Sequence, residues 1–455
     1  MSRRTAPGPN QLSLKFATTP RRTTRRPTGV SPAVCLFTSA GIGELGLEAA
    51  GAEILVANEI VPERAALYRE NFPKTEMVLG DIWEKSEQIV HRSLDLLAGR
   101  ELFILYATPP CQGMSTNGSG RLKSEIAAGR REQEEARNRL IIPTMQIVNQ
   151  LRPRFLLLEN VPQMASTMIR NDEGEQEMIL DFIQRTLPDC YEGTAQVLAC
   201  EDFGIPQRRK RLITIYTRDP SAKSFFKANG SSFIADEMRR PGPTLREAIG
   251  HLPRLEAVDG KNAMTDYHPQ HRVPVMKPLK HWWVSHTPEG NTAFNNQCVN
   301  PTCLSSDTPG HREALVDGRW VALKDTPIFC DACGELLPRP TVTERNGEVR
   351  ALKGFHSAYR RMRWDQPART LTQNFIYEAS DNKIHPEQNR VLSVLEAMIL
   401  QSIADYKYSF EIEGHDIGIP KIAEVIGESV APRLIEIVVS QLMAIAEMDA
   451  DDLTA

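Results

Sequence analysis

No apolar run in these 455 residues reads as long enough, at roughly 20 residues, to cross a bilayer. The N-terminus is basic but has no apolar segment behind its charges, which excludes a secretory signal. No internal repeat recurs at a fixed period, so a solenoid or propeller is not expected. Cysteine is scarce: there are eight, half of them in two tight pairs. That usage suits a reducing, cytoplasmic setting and a metal better than a disulfide framework. Excess positive charge is lacking as well. The formal net charge is −4, a sum that by itself argues against a nucleic-acid partner. The distribution argues otherwise. Residues 1–43 carry seven Lys or Arg (Arg3, Arg4, Lys15, Arg21, Arg22, Arg25, Arg26) and no acid, and Glu447 to Asp452 is acidic. A basic Pro/Thr-rich arm is either a solvated tail or a phosphate contact. What is present is length enough for two or three domains with sizeable cores.

The chain is organised around Ala107-Thr108-Pro109-Pro110-Cys111-Gln112-Gly113-Met114-Ser115. Leu102 to Tyr106 reads as a short buried strand. Two prolines stop it and fix the backbone directly before a cysteine. Taken alone, Cys111 is better explained by packing as a small hydrophobe than by reactivity. The stretches around it decide between the two.

Val34 to Phe37 predicts a buried strand. A small-residue turn, Thr38 to Gly43, follows, and then a helix ending at Gly51. This is the start of a nucleotide-binding α/β unit, in which small residues admit a ligand to the backbone and the helix N-terminus offers free N–H groups. Ile54 to Ala57 leads to Asn58-Glu59, an acid placed to accept ribose hydroxyls. A third unit ends in Gly80-Asp81-Ile82, where a carboxylate can meet an adenine amino group. Three such strand ends in succession imply a nucleoside-containing cofactor across the carboxyl edge of a mostly parallel sheet. Gln112 to Arg137 is polar and long enough for a lid or binding loop. Arg139 to Leu151 predicts a helix, and Phe155 to Leu158 a strand ending in Glu159-Asn160-Val161-Pro162. Gln207-Arg208-Arg209-Lys210-Arg211 enters the strand Leu212 to Tyr216; if extended, Gln207, Arg209 and Arg211 share one side.

These residues resemble the cytosine-5 DNA methyltransferases that use S-adenosylmethionine. The likeness covers about 33–218 and 356–440. Its most specific parts are Pro-Pro-Cys-Gln, Glu-Asn-Val and Gln-Arg-Arg-Lys-Arg at these separations. Asn58-Glu59-Ile60, Arg137-Asn138-Arg139-Leu140, Arg363 through Thr372, Asn389 through Ser393 and Ile426-Gly427-Glu428-Ser429-Val430 complete the set. Two positions depart from the pattern: Ser39 stands where the first turn usually has glycine, and Glu428 where asparagine usually follows Gly427.

The resemblance implies a Rossmann-like α/β methyltransferase domain with a mixed, mostly parallel sheet. It also implies a smaller, irregular target-recognition domain. The expected organisation is a basic arm at 1–30, a catalytic and cofactor-binding domain at 31–218, target recognition at 219–384, C-terminal helices completing the first domain at 385–446, and an acidic tail at 447–455. The implied catalytic residues are Cys111, attacking carbon 6 of cytosine, and Glu159, acting at ring nitrogen 3. Arg211 would bind the cytosine carbonyl oxygen, and Arg209 would position the nucleophile loop or a phosphate. Cofactor contacts carried over are Phe37, Ser39, Gly41, Glu59, Ile60, Asp81, Ile82, Pro110, Leu140 and Ser429. Base flipping would bring Gln112, Ser115, Arg121 and Lys123 to the DNA.

Cys298 and Cys303, with four residues between them, and Cys330 and Cys333, with two between, flank a 26-residue insert. The spacing suits a structural zinc knuckle with four thiolates; free thiols or a disulfide are the alternatives. His281, Trp282, Trp283 and His286 precede the first pair and are expected to pack rather than stack on DNA. The expected partner is double-stranded DNA, with a cognate nuclease or another phage-defence component beside it. A monomer in the cytoplasm, on the nucleoid, is expected, with host-DNA protection as its role. Two rivals remain: a tRNA cytosine-5 methyltransferase on the same fold, and a catalytically silent DNA-binding protein.

Overall fold

The structure is a computed structural model that describes residues 31–110, 137–316, 319–323, 325–352, 357–380 and 382–448. Cys111, Gln112, Ser115, Arg121, Lys123, the basic arm and the end of the acidic tail lie outside the described residues.

The apolar runs form strands because helices cover both faces of one sheet. In β1 (Ser31–Leu36), Ala33 and Cys35 enter one core while Val34 and Leu36 enter the other. This is the two-residue alternation of a strand buried on both sides. The chain continues through α1 (Glu44–Ala50), β2 (Ala52–Glu59), α2 (Pro62–Asn71), β3 (Glu76–Leu79), α3 (Ile82–Leu97) and β4 (Ile104–Ala107). Then come α4 (Ile141–Leu151), β5 (Phe155–Asn160), α5 (Ile179–Thr186), β6 (Glu192–Ala199) and β7 (Lys210–Thr217). The strands lie in the order β3-β2-β1-β4-β5-β7-β6. The first five are parallel; β7 runs antiparallel to β5 and to β6. Parallel pairing brings the C-terminal ends of β1 to β5 to one edge, where ligands of open α/β sheets bind.

Short helices at Pro220–Ala228 and Leu245–Ile249 follow, and later come α6 (Pro278–Ser285), α7 (Val394–Leu400), α8 (Ile419–Glu428) and α9 (Pro432–Ala446). α9 returns to pack against α1. Together α8 and α9 are long and apolar enough to cross a membrane, which corrects the expectation that no run reaches that length. Their apolarity has another cause. Ser429 and its neighbours are not helical, and Leu434, Ile435, Val438, Val439 and Leu442 are fully buried in the core of the sheet domain.

The core does not follow the expected boundaries at 218/219 and 384/385. Phe226, Phe233, Leu245 and Ile249, and on the far side Trp364, Leu371 and Phe375, belong to the same core as β1 and β4. Between them, residues from Ala257 to Tyr359 gather into small separate clusters. Trp283 is buried edge-on to Tyr359 at 5.6 Å, so it packs as expected. Trp282 is partly exposed and meets His286 edge-on at 6.0 Å.

Candidate active site

Five strand ends build the site. β1 ends because Phe37 turns to φ 60°, followed by Ser39 at 49° and Gly41 at 84°. A side chain at Gly41 would place its Cβ 2.4 Å from Phe72 Cε2, so both the left-handed backbone and the close ring require glycine. Ser39 adopts the left-handed region without that freedom, which gives a physical reason for glycine as the usual residue at its position. The strain is held by a carboxylate. Glu59, buried at the end of β2, accepts from Ser39 N and Val61 N, both at 2.8 Å, one on each oxygen. Two backbone donors fix the carboxylate while lone pairs remain for the two hydroxyls of a ribose. Ile60, next in the chain, is 58% exposed at this edge, an apolar wall suited to the face of a purine.

Asp81 divides its role. Its Oδ1 accepts from Trp83 N at 3.0 Å and caps α3, so a helix cap explains an acid here as well as an adenine contact does. Ile82 departs from expectation: its side chain is 2% exposed and packs in the core, so only its backbone remains to meet a nucleoside. Leu140 precedes α4 and packs against the same core. Asn58, which sequence reasoning noted only as part of a motif, donates to Val78 O and Gly80 O at 2.9 and 3.1 Å. It thereby ties the ends of β2 and β3 together.

The proline turn is anchored from both sides. Thr108 Oγ1 donates to Phe37 O at 2.9 Å, and Asn160 Nδ2 donates to Pro109 O at 3.0 Å. Asn160 Oδ1 in turn accepts from Val161 N at 2.8 Å. The backbone leading into Cys111 is therefore clamped between the cofactor turn and the strand that carries Glu159.

Glu159 is 6% exposed, and Arg211 Nε lies 2.6 Å from its Oε1. Among the described residues Oε1 has no aligned hydrogen-bond donor, and its contact with Arg211 is one of charge. Burial pushes the Glu159 carboxyl above its ordinary range, although Arg211 and Arg209 oppose the shift. A carboxyl raised in this way holds a proton closer to neutral pH than a solvated one does.

Alternation along 207–211 is as expected: Gln207 and Arg209 are buried, and Arg208 and Lys210 are exposed. Of the two tasks expected of Arg209, a phosphate contact does not fit its burial: it is 1% exposed and donates to Leu371 O at 2.9 Å, Gly427 O at 3.3 Å and Ser429 O at 2.6 Å. The other, positioning the nucleophile loop, falls on residues outside the described ones. Gln207, missed as a functional residue, donates to Gln401 Oε1 at 2.6 Å and accepts from Leu371 N at 2.9 Å. Ser429 donates to Ile426 O at 2.8 Å. Glu428 pairs with Arg64 at 2.6 Å and contacts Gln373, so the departure from asparagine comes with a cation of its own. Strand-end acids are visible as local patterns; the partners of Gln207 and Arg209 lie more than 150 residues away in the chain and leave no such pattern.

The four cysteines expected to hold zinc converge. Their Sγ atoms all lie within 4.8 Å of one another. Cys298 Sγ is 3.6 Å from Cys333 Sγ, and Cys303 Sγ is 3.8 Å from Cys330 Sγ. A disulfide would bring a pair to about 2.05 Å. Tetrahedral zinc with Zn–S near 2.3 Å sets sulfurs about 3.8 Å apart. Backbone N–H groups of Cys333 and Ala332 hold the Cys330 thiol down at about 6, so one thiolate is available at neutral pH.

The family described as C-5 cytosine-specific DNA methylase matches residues 33–444. The chain is 31% identical over 411 residues to the type II methyltransferase M1.HgaI of Avibacterium volantium, spanning 88% of this chain and 95% of that protein. It is 25% identical over 414 residues to the type II methyltransferase M.AgeI of Thalassovita gelatinovora, spanning 81% and 90%. A solved DNA modification methyltransferase encoded within an E. coli prophage overlays it with a TM-score of 0.55 at 16% identity, covering 92% of this chain and all of that one, a likeness of fold. With the match running from β1 to α9 and spanning the Glu159–Arg211 pair, this chain belongs to the C-5 cytosine-specific DNA methylase family.

Proposed function

We propose that this protein methylates carbon 5 of cytosine within a specific duplex DNA sequence, with Cys111, Glu159 and Arg211 as its catalytic residues. The observation that carries the assignment is the buried Glu159–Arg211 pair at 2.6 Å, on the strand whose Asn160 grips the turn leading into Cys111. Bound S-adenosylmethionine would supply an electrophilic methyl group on a sulfonium. Glu59 and Ile60 would hold its ribose and adenine, with Pro110, Leu140 and Ser429 closing the site. Carbon 5 of cytosine is a weak nucleophile until a thiolate adds to carbon 6. Glu159, whose burial favours its protonated form, would donate at ring nitrogen 3 as the Cys111 sulfur–carbon bond forms, and Arg211 would bind the carbonyl oxygen. After methyl transfer, loss of the carbon 5 proton and departure of the thiolate restore the aromatic ring. Arg209 supports the chemistry through the backbone it holds and through its charge on Glu159.

Duplex containing 5-fluorocytosine at the target tests this chemistry. Fluorine cannot leave as a proton does, so wild type with the methyl donor should form a stable protein–DNA adduct and Cys111→Ser should form none. A fluorocytosine adduct that forms equally in the Ser variant would exclude Cys111 as the nucleophile. The same incubation with tRNA in place of DNA separates the tRNA reading.

The segment that would read the target is narrower than 219–384, centred on the stretch from Ala257 to Tyr359 that supplies most of the small clusters, with Ile384 and Val391 packing against it from beyond. A polar groove lined by His286, Asn291, Asn295, Gln297 and His311 runs beside the cysteines, and side-chain amides are suited to base edges. Cys298, Cys303, Cys330 and Cys333 would bind structural zinc. Among the described residues the hydrophobic cluster around them contains Cys298, Cys330 and Leu337, with Cys303 against it, too little to hold two loops without a metal. Metal analysis should find one zinc per chain, and its chelation should abolish specific DNA binding while S-adenosylmethionine binding persists. A zinc-free protein with full sequence specificity would contradict this. The type II relatives support a role in restriction–modification.

A further inference from the structure

A two-residue parallel ribbon lies beside the active site. Ala368 pairs with Gln207 and Arg369 with Arg208. Paired residues in register point to the same face. Gln207 and Ala368 are buried, at 0% and 1% exposure, while both arginines are on the outer, exposed face. Like charges set directly opposite each other across paired strands repel. Ordinarily an acid intervenes, but among the described residues neither arginine has an acidic partner within ion-pair distance. Arg208 donates only to the neutral Gln366 Oε1, at 3.3 Å. Asp365, close enough to feel Arg208, is already held by Arg363 through both oxygens, at 2.9 and 2.7 Å. A further cation is nearby, with Lys383 Nζ on Thr370 O at 2.7 Å, and Thr370 Oγ1 donates to Arg208 O at 2.7 Å.

The ribbon is rigidly tied to the catalytic centre. Arg208 precedes Arg209 and stands three residues before Arg211. Arg369 stands two residues before Leu371, whose carbonyl receives Arg209 and whose N–H donates to Gln207. Two arginines in register on one exposed face, with no ion-paired acid among the described residues, present donors that a phosphate accepts. We propose that Arg208 and Arg369 jointly bind one backbone phosphate of the DNA beside the target base, as positioning residues that fix the strand relative to the Glu159–Arg211 pair. The inference rests on the DNA-methyltransferase assignment.

Duplex affinity measured against salt concentration, with the full chain, provides the test. Losing one phosphate contact flattens the slope of log affinity against log salt by about 0.9. Arg369→Gln and Arg208→Gln should each show that change, and the double variant no more than either, because the two share one phosphate. KM for DNA should rise about tenfold with kcat at saturating DNA and KM for S-adenosylmethionine unchanged, and the Arg208→Lys/Arg369→Lys protein should keep the wild-type slope. A folded double variant with the wild-type slope would overturn the proposal. Should the double variant fail to fold, Arg369→Gln alone decides it, since Arg369 has no side-chain hydrogen bond to lose among the described residues. Wild type that methylates no DNA would instead overturn the underlying assignment, whatever the slopes.

Discussion

Asn160 serves two neighbours at once, and the reactivity assigned to this site depends on that. Its amide nitrogen holds Pro109 O and its amide oxygen holds Val161 N, so the catalytic turn and Glu159 move as one body. Glu159 sits in an apolar surrounding that raises its carboxyl despite Arg211 and Arg209. The sign of the pH effect follows. The proton-donating form is present below the raised value and is lost as pH rises through it, so kcat should fall on the alkaline side. Glu159→Gln keeps a donor at every pH but cannot pass on a proton. Its kcat should drop by about 10²–10⁴-fold, and its residual rate should lack the alkaline fall. Rate–pH profiles of both proteins at saturating substrates check this, and a variant retaining the alkaline limb would assign that limb to another group.

Among the elements, the end of α8 matters most for the cofactor side. Gly427 lies so close to the 370–373 segment that a Cβ would fall 2.1 Å from Gln373 N and 2.3 Å from Thr372 C. Backbone cannot yield there as a flexible side chain does. Gly427→Ala should therefore displace Ser429 and the carbonyls that Arg209 holds. The expected outcome is at least a tenfold weaker S-adenosylmethionine affinity by calorimetry, together with a lower melting temperature. Unchanged affinity would mean that the segment relaxes without touching the pocket. At this scale the sequence was readable where the physics is local. Buried runs revealed β1, β4 and β5, and acids at strand ends revealed Glu59 and Glu159. The carbonyl partners of Arg209, at Leu371 and Ser429, arrive from far along the chain and leave no local signal. The burial of the Ile82 side chain was not legible because a helix start hides which way its first side chain turns.

At the scale of the whole molecule, the sheet domain buries one acid that the chemistry does not use. Glu44, in the first turn of α1, is 2% exposed, and burial pushes its carboxyl up to about 8, with Glu59 adding to the shift. In the unfolded chain it titrates near 4.5. The folded form thus holds the proton more tightly, and stability is lost as pH rises from about 4.5 to about 8. Glu44→Gln removes that dependence: its melting temperature should exceed that of wild type by a margin that widens between pH 5 and pH 8. Parallel melting curves across that range would show the carboxyl to be solvated in solution. The sequence did not reveal this acid, since Glu44 and Glu48 on a short helix look like an ordinary solvated face. Nor did it reveal how far the core of the sheet domain extends, because composition changes at Pro/Trp/His-rich stretches while the core continues through Phe233 and Leu245. The central claim is that one thiol, Cys111, makes this chain a DNA cytosine-5 methyltransferase. Bisulfite sequencing of DNA from cells expressing wild type or Cys111→Ser tests it most directly. The account predicts protected cytosines at a recurrent sequence in wild type and none in the variant; protection absent from both, or equal in both, would contradict it.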